Sequence, residues 1–181
     1  MLLGIFSDTH GSLYWFEKTM SNLKNADIIL NLGDLLYHGP RNPLPRDYSP
    51  GKLAEKIKNM KNFYSVKGNC DSPVDEMVTQ KTFERKITFF IDNLKIVAIH
   101  GDEVGDYRKL ANIYTDYDII MFGHFHIPVI EKVGNRVLFS PGSISLPKNG
   151  SDNSFAIFNT ETKIFEIMNF SNKIIKKYSV S

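Results

Sequence analysis

Short apolar runs along the chain end abruptly in polar motifs, and the pattern recurs five times. Residues 2–6 run into Ser7-Asp8-Thr9-His10, residues 28–32 into Gly33-Asp34, and residues 63–66 lead to Gly68-Asn69-Cys70-Asp71. Residues 96–99 lead to His100-Gly101-Asp102, and residues 119–122 to Gly123-His124-Phe125-His126. Runs of this length, bounded by turn residues, predict buried strands. Between them lie helical periods. Leu13, Phe16, Met20 and Leu23 share one face, as do Leu53, Ile57 and Met60 behind the helix-starting pair Ser49-Pro50. Tyr107, Leu110, Ala111 and Tyr114 make a third, shorter helix. Strands alternating with helices imply an α/β fold with an at least partly parallel sheet.

After Pro128 the pattern changes to strand upon strand, over residues 136–139, 154–158, 163–168 and 173–178. Gly134-Asn135 and residues 159–162 supply turns. This half predicts a second, mostly antiparallel sheet packed on the first. No linker separates the halves, so residues 1–181 are expected to form a single domain. Residues 72–86 show weak periodicity and receive no assignment.

The length of 181 residues suits one domain, able to bury about 70 % of its unfolded surface. A net charge of +2 is too small to direct the chain to nucleic acid. The single cysteine, Cys70, excludes an internal disulfide and a thiolate zinc site, so any metal must use nitrogen and oxygen ligands. The apolar start has no basic region and is too short to span a bilayer. A cytoplasmic location without membrane attachment is therefore expected.

The polar motifs hold four of the five histidines, and together they offer Asp8, His10, Asp34, Asn69, His100, His124 and His126 as candidate ligands. In open α/β sheets ligands collect beyond the carboxyl ends of the strands, so all five motifs should converge on one edge. If the backbone stays extended, Asp8 and His10 point the same way, and so do His124 and His126. Gly33, Gly68, Gly101 and Gly123 suit close backbone approach or positive φ beside a crowded site. A lone histidine ordinarily just makes a hydrogen bond, and Gly-Asp or Gly-Asn alone is ordinarily a turn. Five such motifs in register with five strand ends point instead to a metal site. Carboxylate, amide and imidazole ligands suit manganese, iron, zinc, nickel or cobalt. Two such ions roughly 3.5–4 Å apart, with one aspartate between them, can acidify a shared water and clamp the phosphoryl oxygens during in-line attack. The pattern thus specifies hydrolysis of a phosphate ester.

As a set, Asp8-x-His10, Gly33-Asp34, Gly68-Asn69-x-Asp71, His100 and Gly123-His124-x-His126 resemble the calcineurin-like metallophosphoesterase superfamily. The runs 33–42 and 68–72, with Ser140-Pro141-Gly142-Ser143-Ile144-Ser145, look like those of its small bacterial phosphodiesterases. The resemblance implies an α/β, four-layer α-β-β-α sandwich of two packed mixed sheets flanked by helices. It also implies that Asp8, His10 and His126 hold one divalent ion, that Asn69, His100 and His124 hold the other, and that Asp34 bridges them. Asp34 and Asn69 would thereby also serve catalysis. Manganese is the metal the resemblance favours, with a small phosphodiester as substrate and homo-oligomers common among relatives. Many members place a histidine directly after the asparagine, where it can protonate the leaving group. This chain has Cys70 there, as is normal for this branch, and a thiol is a less suitable acid at neutral pH.

His38, the histidine outside the set, could be a substitute acid or phosphate contact, or could cap the adjoining turn. Arg41 and Cys70 are candidates for binding substrate, whereas Arg46 is equally well a solvent-exposed residue. Lys173, Lys176 and Lys177 read as the wet side of a final strand. Two other classes share the fold. One is a non-catalytic scaffold, such as the retromer subunit, whose metal ligands are partly replaced. The other is a DNA-repair nuclease, disfavoured by the weak positive charge and the lack of a second domain.

Overall fold

The structure is a computed structural model that describes residues 1–91 and 93–180. β1 (Leu2–Phe6) shows why the apolar runs are continuous: Leu3 and Ile5 enter one core while Phe6 enters another. The same holds for β6 (Leu94–Ala98) and β7 (Ile119–Met121), where Ile96, Ala98, Ile119 and Met121 face one core and Val97 and Ile120 face a third. Strands covered on both faces need apolar residues at every position.

The strands form two mixed sheets. In the first, β1, β2 (Ile28–Asn31), β3 (Phe63–Val66) and β4 (Phe83–Glu84) run parallel. β10 (Ser154–Asn159), β11 (Ile164–Asn169) and β12 (Ile174–Ser179) extend that sheet antiparallel beyond β1. The second has the order β5-β6-β7-β9-β8, with β6, β7 and β9 (Arg136–Pro141) parallel and β5 (Ile87–Ile91) and β8 (Pro128–Val133) antiparallel at its edges. A core of Leu3, Ile5, Ile119, Phe139, Phe158 and Phe165, among others, fills the space between the sheets. Helices α1 (Leu13–Asn22) and α2 (Pro50–Lys58) cover the first sheet, while a 3-10 turn at Tyr107–Lys109 and α4 (Leu110–Ile113) cover the second. This is the four-layer α-β-β-α arrangement.

Two expectations need correction. The strands after Pro128 do not make a separate antiparallel sheet: β8 and β9 join β7, whereas β10–β12 cross back to β1. Alternation reveals that a strand is half-buried, but its neighbour is chosen by tertiary packing. The stretch left unassigned contains α3 (Pro73–Thr79), opened by a capping box in which Ser72 and Asp75 bond reciprocally. Its pattern is inverted, since Asp75 and Thr79 are buried while Val74 and Met77 are 57 % and 68 % exposed. Ser49 stands at the α2 N-cap as expected, yet its hydroxyl donates to Asp47 Oδ1 at 2.8 Å rather than serving the helix.

Between the sheets, the Phe158 and Phe165 rings stack at 3.8 Å with an interplanar angle of 3°. Replacing Phe165 by alanine is expected to cost about 3–5 kcal/mol, read as a lower urea midpoint with an unchanged m-value. A loss below about 1 kcal/mol would show that the inter-sheet core is loosely packed.

Candidate metal centre

Because β1–β3 are mutually parallel, as are β6, β7 and β9, their carboxyl ends deliver loops to one edge. The first sheet supplies Asp8, His10, Asp34 and Asn69, and the second supplies His100, His124 and His126. The two loops leaving β1 and β2 stay joined: Asp8 N–H donates to Gly33 O at 3.1 Å and His10 N–H to Asp34 O at 3.0 Å.

The backbone here is not extended, contrary to the geometry expected for Asp-x-His and His-x-His. Asp8, His10, Asp34, His124 and His126 lie in the left-handed region, with φ of 55°, 49°, 57°, 64° and 60°. Alternating left-handed residues still bring positions two apart to the same site. Asp and His tolerate this region better than most residues, but each such position costs about 1–3 kcal/mol. The surroundings hold it in place. Ser143 and Ser145 hydroxyls both donate to Asp8 O, at 2.8 and 2.9 Å, which gives the Ser140–Ser145 run its purpose. Asp71, only 8 % exposed, accepts from the N–H groups of Asp34, Leu35 and Gly68 at 2.9, 2.8 and 2.7 Å. Gly68 is required because a Cβ there would collide with Asp34 Oδ1, and Gly33 combines a φ of 103° with contact against the His100 ring.

Three imidazoles are fixed by main-chain carbonyls. Nδ1–H of His10 donates to Tyr37 O at 2.9 Å, that of His100 to Leu32 O at 2.7 Å, and that of His126 to Leu146 O at 2.6 Å. A carbonyl can only accept, so each ring turns Nε2 inward. His10 Nε2 lies 3.3 Å from His126 Nε2, and His126 Nε2 lies 3.4 Å from Asp8 Oδ1. Asp34 stands between two groups: Oδ2 is 3.7 Å from His10 Nε2 and Oδ1 is 3.4 Å from His100 Nε2. On the far side, His124 Nδ1 approaches Asn69 Oδ1 at 2.9 Å.

Both oxygens of Asp8 and the Nε2 of His100 are buried without a hydrogen-bond partner, a costly state for polar atoms. Donor atoms held about 2.1 Å from one cation lie roughly 3.0–3.4 Å apart at octahedral to tetrahedral angles. The His10–His126 and His126–Asp8 separations of 3.3 and 3.4 Å match that spacing. The donor set therefore fits divalent cations. Burial alone would lower the His100 pKa, but the Asp34 carboxylate beside it overrides burial and pushes it up to about 10. Burial disfavours the Asp34 charge, yet His100 and His10 hold its carboxyl well below the usual range. Burial lowers the pKa values of His10 and His124.

The centre opens into a cleft of ≈ 710 Å³ whose lining includes Asn69, Cys70, His124 and Arg41. Burial, with Asp34 nearby, pushes the Cys70 thiol up to about 12, which keeps it protonated. His38 is not among the lining residues; its ring packs edge-on against Tyr37 and Tyr48 at 4.8 and 5.3 Å. Arg46 stacks on Tyr14, 3.6 Å from the ring centroid. Several residues with a part in the site, Ser143 and Ser145 among them, have no role assigned from sequence. Asp71 was visible only as the last letter of its motif, and Lys148, which lines the cleft, sits in a loop that carries no motif.

A model of the calcineurin-like phosphoesterase superfamily domain matches residues 1–163. Phosphodiesterase YfcE of Escherichia coli K12 is 34 % identical over 165 residues, covering 89 % of each chain. A solved structure of that E. coli phosphoesterase superposes with a TM-score of 0.89 at 29 % identity, covering 100 % of both chains. Vacuolar Protein Sorting 29 from Cryptosporidium parvum shares the fold alone, with a TM-score of 0.68 at 19 % identity over 99 % of this chain and 98 % of its own. With this match along most of its length, the chain belongs to the calcineurin-like phosphoesterase superfamily.

Proposed function

We propose that the protein is a metal-dependent phosphodiesterase acting on small substrates, with its 181 residues working as one catalytic domain. The observation that carries this reading is the Asp34 carboxylate, with one oxygen toward His10 and the other toward His100. Asp8, His10 and His126 would hold one divalent cation, Asn69, His100 and His124 the other, and Asp34 would touch both. When bound, the pair supplies positive charge that draws electrons from the phosphoryl oxygens and acidifies the attacking water. Manganese is the metal to test first.

The chain's own residues do the rest. Carbonyls of Tyr37, Leu32 and Leu146 orient the three rings, and Asp71 holds the loop that carries Asp34 against the loop that carries Asn69. No imidazole follows Asn69, and the Cys70 thiol is a weak acid, so esters whose leaving group needs no proton should react fastest. Support for an enzyme over a scaffold comes from Asp8, His10, Asp34, His100 and His126 gathered around buried, unpartnered atoms. A diester preference rests on the likeness to the E. coli phosphodiesterase. Among the described residues no helix is long and apolar enough to cross a membrane.

Chelation should abolish hydrolysis of bis(p-nitrophenyl) phosphate, and added manganese should restore it; turnover of the aryl monoester alone would reverse the diester preference. Asp34→Asn should lower the metal content measured by mass spectrometry from two ions to one or none. Asp71→Asn should keep the fold yet lose about 10–100-fold in metal affinity or activity; wild-type behaviour would remove its positioning role. Without metal, His100 is protonated up to about pH 10 and must give up that proton to become a ligand. Metal affinity should therefore rise with pH, about tenfold per unit for one displaced proton. Calorimetry in buffers of different ionisation enthalpy would read the release; no proton release at pH 7 would contradict it.

A further inference from the structure

Lys148 lines the cleft beside His126 and Asp34 but has no part in the chemistry above. Its backbone is tied to the centre. Lys148 N–H donates to His126 O at 3.0 Å, while His126 Nδ1–H donates to Leu146 O at 2.6 Å. Ser151 closes the turn, its N–H and hydroxyl both donating to Lys148 O at 3.1 and 2.7 Å. The loop is thus held at both ends of one histidine, and the lysine has a defined origin at the cleft wall.

Its charge, by contrast, is unanswered. Lys56, Lys67 and Lys177 pair with glutamates at 2.9, 3.3 and 2.7 Å, whereas Lys148 is exposed and, like several other exposed lysines, has no carboxylate partner; what sets it apart is its place in the cleft lining. Among the described residues the Lys148 ammonium has neither an ion pair nor a hydrogen bond, and the Arg41 guanidinium in the same lining has none either. The cleft carboxylates are already engaged, Asp34 with two histidines and Asp71 with three backbone N–H groups. Two divalent cations would outweigh Asp8, Asp34 and Asp71 by one charge, which the single charge of a phosphodiester balances. The reacting phosphate therefore leaves nothing for Lys148 to neutralise.

We propose that Lys148 binds a second anionic group, so that the preferred substrates are phosphodiesters whose retained alcohol carries a carboxylate or phosphate. This rests on the phosphodiesterase reading and names its substrate class. A lysine at a cleft wall suits that task, being a compact charge on a flexible stem that can follow alcohols of different length.

The test uses manganese-loaded protein and three p-nitrophenyl diesters, whose second alcohol is 3-hydroxypropanoate, propanol or choline. The anionic ester should exceed the neutral one about five- to tenfold in kcat/KM, mainly through KM, and the choline ester should be poorest. Lys148→Met should bring the anionic-to-neutral ratio close to one, and Lys148→Arg should recover it. Equal ratios in the wild type, or a Lys148→Met loss shared by all three esters, would overturn the proposal; a shared loss would mean that Lys148 serves the reacting phosphate. If no ester is hydrolysed the diesterase reading fails, and calorimetric binding of 3-phosphooxypropanoate still decides. Weaker binding by Lys148→Met than by wild type, relative to propyl phosphate, keeps the anion site, and an unchanged difference removes it.

Discussion

The placement of one carboxylate governs this molecule. Asp34 presents one oxygen to His10, from its own sheet, and the other to His100, from the opposite sheet. That position is possible only because β2 ends where the parallel strands of both sheets end. His100 reaches across to bond Leu32 O at 2.7 Å, so the two sheets are stitched at the centre itself, while Gly123 N–H bonds His100 O at 3.0 Å and holds the two loops of the second sheet together. The fold and the site share this seam.

The seam is held by strain and bracing together. Five of the seven candidate ligands hold left-handed backbone; hydroxyls of Ser143 and Ser145 brace Asp8, the carboxylate of Asp71 braces Asp34, and Lys148 N–H and Leu146 O hold His126. The apolar inter-sheet core beneath provides the rigid base. Buried polar atoms left without partners, above all the Asp8 oxygens, are costs that divalent cations would relieve.

Much of this was legible in sequence, for identifiable reasons. Runs such as residues 119–122 read as buried strands because four apolar residues, bounded by Asp118 and Gly123 and rich in isoleucine, are too short for a buried helix of their own. The polar residues after them had to share an edge once the strands were parallel. What escaped reading was set by distant parts of the chain. β10 lies beside β1 in space yet some 150 residues away, and no local pattern encodes that pairing. The helix α3 escaped because its buried face is Asp75 and Thr79, although Ser72-Pro73 and Asp75 offered a capping signal. The left-handed turns escaped because Asp and His carry no mark of backbone hand in sequence, and the Asp71 bracing role needed coordinates to see the three N–H groups it joins. Lys148 stands in a loop where one lysine resembles any other.

Anomalous diffraction from manganese-soaked crystals tests the central claim most directly. The expected map holds two peaks roughly 3.5–4 Å apart, one beside each Asp34 oxygen. A single peak, or a pair that leaves Asp34 outside the ligand shell of either ion, would contradict the account.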